Sequence, residues 1–145
     1  MSRSRKLAFV SCALLAACCA ARGGNPQTPR ATGHLDLTHS LFELPRAAEL
    51  GDPEHAKFVE VELAELVNPK RVPISFELRL QPPGGDKELL GTFAPFPADR
   101  PGTFIVATQG KLSRESKLFL SLVPLAKTRA GDELRVTVKL ALRAE

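Results

Sequence analysis

Ile74-Ser75-Phe76-Glu77-Leu78-Arg79-Leu80 alternates apolar and polar residues without a break. Successive side chains of an extended chain point to opposite faces, so Ile74, Phe76, Leu78 and Leu80 fall on one side and Ser75, Glu77 and Arg79 on the other. A helix would scatter the same apolar residues around its axis. The stretch from Val72 to Leu80 therefore predicts a strand with one buried and one wet face, the pattern of an antiparallel sheet.

The same period extends in both directions. Upstream, Phe58 to Val67 sets Val59, Val61, Leu63 and Val67 against Glu60 and Glu62. Leu63, Leu66 and Val67 also fit a helical face, but the β-branched content and the nearby Val72-Pro73 favour a strand. Leu35, Leu37 and Leu41 share one side of a further strand, opposite Asp36, Thr38 and Ser40. Downstream come Leu89 to Phe93, Thr103 to Thr108 and Lys117 to Val123. A final run sets Leu134, Val136, Val138, Leu140 and Leu142 against Arg135, Thr137, Lys139 and Arg143.

Turn chemistry separates the runs: Asn68-Pro69, Pro82-Pro83-Gly84-Gly85-Asp86, Asp99-Arg100-Pro101-Gly102, Gly110-Lys111 and Ala130-Gly131-Asp132. Only Pro45 to Leu50 has a helical look, with proline in the first turn and Gly51 as the stop. About seven strands without helical crossovers predict an all-β fold, an antiparallel β-sandwich of immunoglobulin-like or jelly-roll-like type.

What precedes the first strand is of a different character. Arg3, Arg5 and Lys6 precede an uncharged apolar run from Leu7 to Ala17. That run has the length of a secretory h-region and is too short to cross a ~30 Å hydrocarbon core as a helix. Leu15-Ala16-Ala17-Cys18 follows at its end and resembles the lipobox of bacterial lipoproteins. The resemblance implies that Cys18 receives diacylglycerol and becomes the mature N-terminus. The alternative is an ordinary signal peptide cut near Cys19-Ala20-Ala21. Cys19 is not the Asp that retains enteric lipoproteins in the inner membrane, which points to a lipid-anchored, periplasm-facing place at the outer membrane of a bacterial envelope. The expected organisation is a signal peptide at 1–17, a flexible Gly- and Pro-rich tether at 18–32 and a β-sandwich at 33–145.

Composition narrows the functional classes. The leader holds three of the 20 Lys and Arg and none of the 16 Asp and Glu, so 17 basic residues face 16 acidic ones in the rest. The overall basicity belongs to the targeting segment, and no nucleic-acid partner is expected. All three cysteines (Cys12, Cys18 and Cys19) lie in or beside the leader, which leaves the sandwich without a disulfide, thiolate ligand or thiol nucleophile. His34 and His39 sit at an odd spacing, on opposite faces of a regular strand, where they cannot chelate one ion. His39 falls beside Leu37 and Leu41 as a core or rim residue. No metal or other cofactor is expected.

Catalytic constellations are equally sparse. Ser113, Ser116 and Ser121 lack a G-x-S-x-G context. The carboxylate pairs Glu60/Glu62 and Asp132/Glu133 read as solvated charges on a strand face and in a turn. More distinctive is Gly91-Thr92-Phe93-Ala94-Pro95-Phe96-Pro97, whose prolines confine it to an edge or loop. Phe93 and Phe96 cannot both point inward from an extended chain. One faces solvent or a partner, unless the loop folds back over the end of the sandwich.

Several of these features occur in an order that resembles the C-terminal β-sandwich domain of polyphenol oxidases and tyrosinases. They are Ile74-Ser75-Phe76-Glu77-Leu78, Gly91-Thr92-Phe93, Leu118-Phe119-Leu120-Ser121-Leu122 and Asp132-Glu133-Leu134-Arg135-Val136-Thr137-Val138. The family usually has a histidine soon after its Gly-Ser-Phe, where this chain continues Ala94-Pro95-Phe96-Pro97. In that family the domain covers the mouth of a dicopper site. The resemblance implies Phe93 or Phe96 as the residue that plugs a partner's cleft. Three functions follow as expectations: a non-catalytic, lipid-anchored protein-binding domain; a companion that shields a separately encoded copper oxidase; and a small-ligand or metal binder.

Overall fold

The computed structural model describes residues 28–145. Eight strands occupy most of them: β1 Ala31–Asp36, β2 Leu41–Leu44, β3 Phe58–Val67, β4 Ile74–Gln81, β5 Glu88–Phe93, β6 Gly102–Ala107, β7 Lys117–Pro124 and β8 Arg135–Arg143. They form two four-stranded antiparallel sheets, ordered β1-β8-β3-β6 and β2-β7-β4-β5. First pairs with last, second with seventh, third with sixth and fourth with fifth. That is one long antiparallel hairpin wrapped into two layers, the jelly-roll order. The all-β sandwich expected from alternation is what forms, and of the two expected types the jelly roll has this strand order.

The eighth strand comes from the N-terminal run, where the single strand expected from Leu35 to Leu41 is two strands in different sheets. Asp36 is the reason. Its Oδ1 accepts from the Thr38 hydroxyl (2.6 Å), the His39 N–H (2.6 Å) and the Thr38 N–H (2.7 Å). This side chain offers the backbone an alternative to the ladder, and the chain turns to the other layer. Leu41 consequently emerges exposed instead of joining Leu35 inside.

A second departure lies in β3. The register against β8 shifts between Leu63 and Glu65, so Ala64 is an extra residue. A bulge moves every later side chain to the opposite face. Leu66, not Val67, therefore packs on the core, and Val67 is exposed. This is why Leu63 and Leu66, three apart as on a helix face, point the same way, and Val67 does not join them.

The inner faces otherwise follow the alternation. Val59, Val61, Leu63, Ile74, Phe76, Leu78, Leu80, Leu118, Leu120, Leu122, Leu134, Val136, Val138, Leu140 and Leu142 are all buried. The sheets meet closely at the β1–β2 corner, where a Cβ on Gly33 would collide with the Phe42 ring. On the opposite side, Phe93 stacks between Phe76 and Phe104, with centroid separations of 5.3 and 4.5 Å. The expected helical segment is a single 3-10 turn, Ala47–Leu50, which places Ala47 and Leu50 in the core.

Strand directions define two ends. Residues 28–30, 45–57, 82–87 and 108–116 gather at the end where the chain enters β1. Residues 37–40, 68–73, 94–101 and 125–134 gather at the other, which we call the loop end. Six residues of β1 separate them by about 20 Å at the usual strand rise.

Candidate interaction surface

Of the four loops at the loop end, three, 68–73, 94–101 and 125–134, are fastened together. Asn68, 2% exposed, is the central fastener. Its Nδ2 donates to the Val72 and Ala98 carbonyls, both at 2.9 Å, and its Oδ1 accepts from the Val72 N–H at 2.9 Å. The β3–β4 loop is thereby tied to the β5–β6 loop. The Arg71 guanidinium reaches Asp99 at 2.8 Å, a second tie between the same loops. Lys70 bridges to the β7–β8 loop through Asp132 (2.9 Å) and the Gly131 carbonyl (3.2 Å), and the Leu125 N–H donates to the Pro73 carbonyl (2.8 Å).

These ties hold carboxylates in their charged form. The Arg71 side chain keeps the Asp99 carboxyl below the usual range. The Lys70 side chain, followed by the Arg129 backbone N–H, does the same for Asp132. At the β1–β2 turn the Thr38 hydroxyl and the His39 and Thr38 N–H groups lower Asp36 strongly. A carboxylate that accepts several hydrogen bonds favours ionisation.

On this braced platform lies an open groove of about 520 Å³ lined by Arg71, Pro73, Pro95, Phe96, Pro97 and Leu125, among others. Pro95 is buried beneath it, whereas Phe96 is 94% and Leu125 63% exposed. Of the six exposed large hydrophobic residues among the described ones, Leu41, Val67, Phe96 and Leu125 belong to this end. Leu89 is the second residue of β5, next to the 82–87 loop at the end where β1 begins, and Ile105 lies mid-strand in β6.

The two phenylalanines named from sequence thus part company. Phe93 is half-buried and stacked between Phe76 and Phe104. Phe96 stands outside. Cys18, the expected lipid-bearing residue, lies outside the described residues.

The remaining sequence candidates are dispersed. His39 is not on the apolar face but in the exposed β1–β2 turn, hydrogen-bonded to Thr38. His34 approaches the Thr137 hydroxyl (3.2 Å), and His55 pairs with Asp52 (2.7 Å) at the other end of the molecule. Among the described residues no three His, Cys, Asp or Glu side chains converge to hold a metal. Glu60 and Glu62 are less solvated than expected. Arg30 lies 2.7 Å from Glu62 and 3.5 Å from Glu60, Arg143 lies 2.7 Å from Glu60, and Lys139 lies 3.5 Å from Glu62. Ser113 and Ser116 bond to each other at 2.8 Å.

Sequence reasoning missed Asn68, which read as ordinary turn punctuation before Pro69. Its buried role depends on the Ala98 carbonyl 30 residues away, and no local signal announces that. Comparison with family models, with curated proteins and with solved structures finds no match.

Proposed function

We propose that this chain is a lipid-anchored β-sandwich protein of the bacterial envelope that binds a protein partner through its loop end and performs no catalysis. Cys18 carries the lipid in this reading, and the domain faces the periplasm from the outer membrane. The observation that carries the reading is the position of Phe96, 94% exposed on a braced loop at the end opposite Ala31. A tether entering at Ala31 leaves that end free to meet a partner. An aromatic ring on a loop that is already fixed loses little freedom on docking, and such anchors dominate interface energies.

Radiolabelled palmitate should enter the wild type and not Cys18→Ser; equal label in both removes the anchor. Cross-linking in the intact envelope should recover one protein with the wild type and lose it with Phe96→Ser. Equal recovery with both removes the docking role. A second reading, a companion of a separately encoded tyrosinase-type copper oxidase, draws on the same ring and on the resemblance around Gly91-Thr92-Phe93. It predicts that the recovered protein holds copper and that its oxidase activity rises when this chain is removed.

A further inference from the structure

The two exposed large hydrophobic residues that do not belong to the loop end, Leu89 and Ile105, lie on β5 and β6, the edge strands of one side. Of the four edge strands, β6 is the least protected. β2 has only four residues and carries Glu43. β5 begins with Glu88 and has a register shift against β4. β1 presents His34 and is followed at once by the Asp36 turn. Gly102-Thr103-Phe104-Ile105-Val106-Ala107 has no charge, no proline and no register shift against β3. Natural edges generally carry such protection, because an open strand is a template for another.

The phase of the β3–β6 ladder shows which backbone groups are open. The Thr108 N–H donates to the Lys57 carbonyl at 2.9 Å, one step beyond the Phe58–Ala107 pair. Bonded and unbonded pairs alternate in an antiparallel ladder, so Phe104 and Val106 bond to β3 while Thr103, Ile105 and Ala107 turn their N–H and C=O groups outward. β6 ends its sheet, so among the described residues no strand lies beside those outward groups. Phe104 and Val106 point into the core, and the outward side chains are Thr103, Ile105 (55% exposed) and Ala107.

We propose that β6 pairs with β6 of a second copy of this chain, antiparallel, about a two-fold axis through Ile105. Ile105 then lies against Ile105, and Thr103 against Ala107 on either side. All six outward backbone groups of each copy are satisfied, with every pair on a common face. The neighbouring registers fail. Moving the axis to Phe104 sets Ala107 against Pro101, which has no N–H. Moving it to Val106 sets Thr103 against Gln109, whose φ of 56° takes it out of the strand. The sequence of this edge is complementary to itself in one register, and that identifies the occupant as a second copy. The two-fold turns the loop ends of the copies in opposite directions. The stretch from Cys18 to Arg30, about 40 Å when extended, allows both N-termini to reach one surface.

The test is sedimentation of the full chain in detergent over a wide range of concentration, with hydrogen exchange on the same samples. The wild type should rise from one copy to two, and the Thr103, Ile105 and Ala107 amides should exchange more slowly as it does. Ile105→Lys, which sets like charges directly opposite, should stay a single copy, with a melting transition that matches the wild type at concentrations where both are single copies. Thr103→Pro, which deletes one outward N–H, should shift the rise to higher concentration. Should Thr103→Pro not fold, Ile105→Lys still decides. A single copy at every concentration in the wild type, a mass that climbs past two, or an Ile105→Lys that pairs like the wild type would each overturn the proposal.

Discussion

The two ends of the sandwich are made from similar turn-rich loops and differ in the large apolar side chains that those loops leave exposed. At the end where β1 begins, Ala47, Leu50, Pro53 and Ala56 are buried. The Ala47 N–H reaches the Ser116 carbonyl (2.8 Å), and the Thr108 hydroxyl reaches the Ala56 carbonyl (2.8 Å), so these loops form a plug. At the loop end Val72, Pro95 and Leu134 are buried beside Asn68, while Phe96 and Leu125 point out. Apolar residues that close a core stabilise it, and apolar residues raised on a polar brace do not. Exposed apolar surface on a fixed platform is the feature on which the proposed docking role rests.

The comparison can be broken by substitution. The largest loss of stability is expected at the plug: Leu50→Ala removes a side chain 1% exposed and should lower the free energy of unfolding by about 2–5 kcal/mol in a denaturant titration. At the loop end the polar brace should also carry a measurable share. Asn68→Ala strands the Val72 N–H and the Val72 and Ala98 carbonyls, and should cost roughly 2–3 kcal/mol. Phe96→Ala should stay within about 0.5 kcal/mol of the wild type, because an exposed side chain away from any brace contributes little to folding. A loss at Phe96 comparable to that at Leu50 would mean the ring closes the core and is not displayed.

Acid should sharpen the same contrast. Asp36, Asp99 and Asp132 at the loop end have lowered pKa values, against Asp52 at the other, which His55 lowers. A carboxyl whose folded pKa lies below its unfolded value of about 3.9 contributes its full share above that pH. The share is lost as pH falls through the folded value. Stability should therefore be level through neutral pH and fall below about pH 4. Hydrogen exchange should report opening at the loop end before the plug. Asp99→Asn and Asp132→Asn should flatten the fall, and an unchanged slope in the double variant would remove those carboxylates from the account.

What the sequence made legible follows from the period of two. β4 alternates without interruption and β8 does so but for Ala141, and the alternation assigns Ile74, Phe76, Leu78, Leu80, Val136, Val138, Leu140 and Leu142 to the inner face. The split at Asp36 and the bulge at Ala64 escaped because each is a local competition that leaves the apolar spacing nearly intact. Pairing first with last strand also lies beyond local pattern, since Ala31 meets Leu140 across almost the whole domain. At the loop end, the prolines around Phe96 marked a loop and the parity argument required one ring to leave the core. Only the Phe76–Phe93–Phe104 stack shows which ring stays.

The most direct test replaces Phe96 with a photoreactive phenylalanine analogue, and separately replaces Pro83, which is exposed in a turn at the plugged end. Both proteins are illuminated in the intact envelope. A protein adduct formed from position 96 and not from position 83 is the predicted result. Equal adducts from both positions, or adducts from 83 alone, would contradict the assignment of the loop end as the surface that meets a partner.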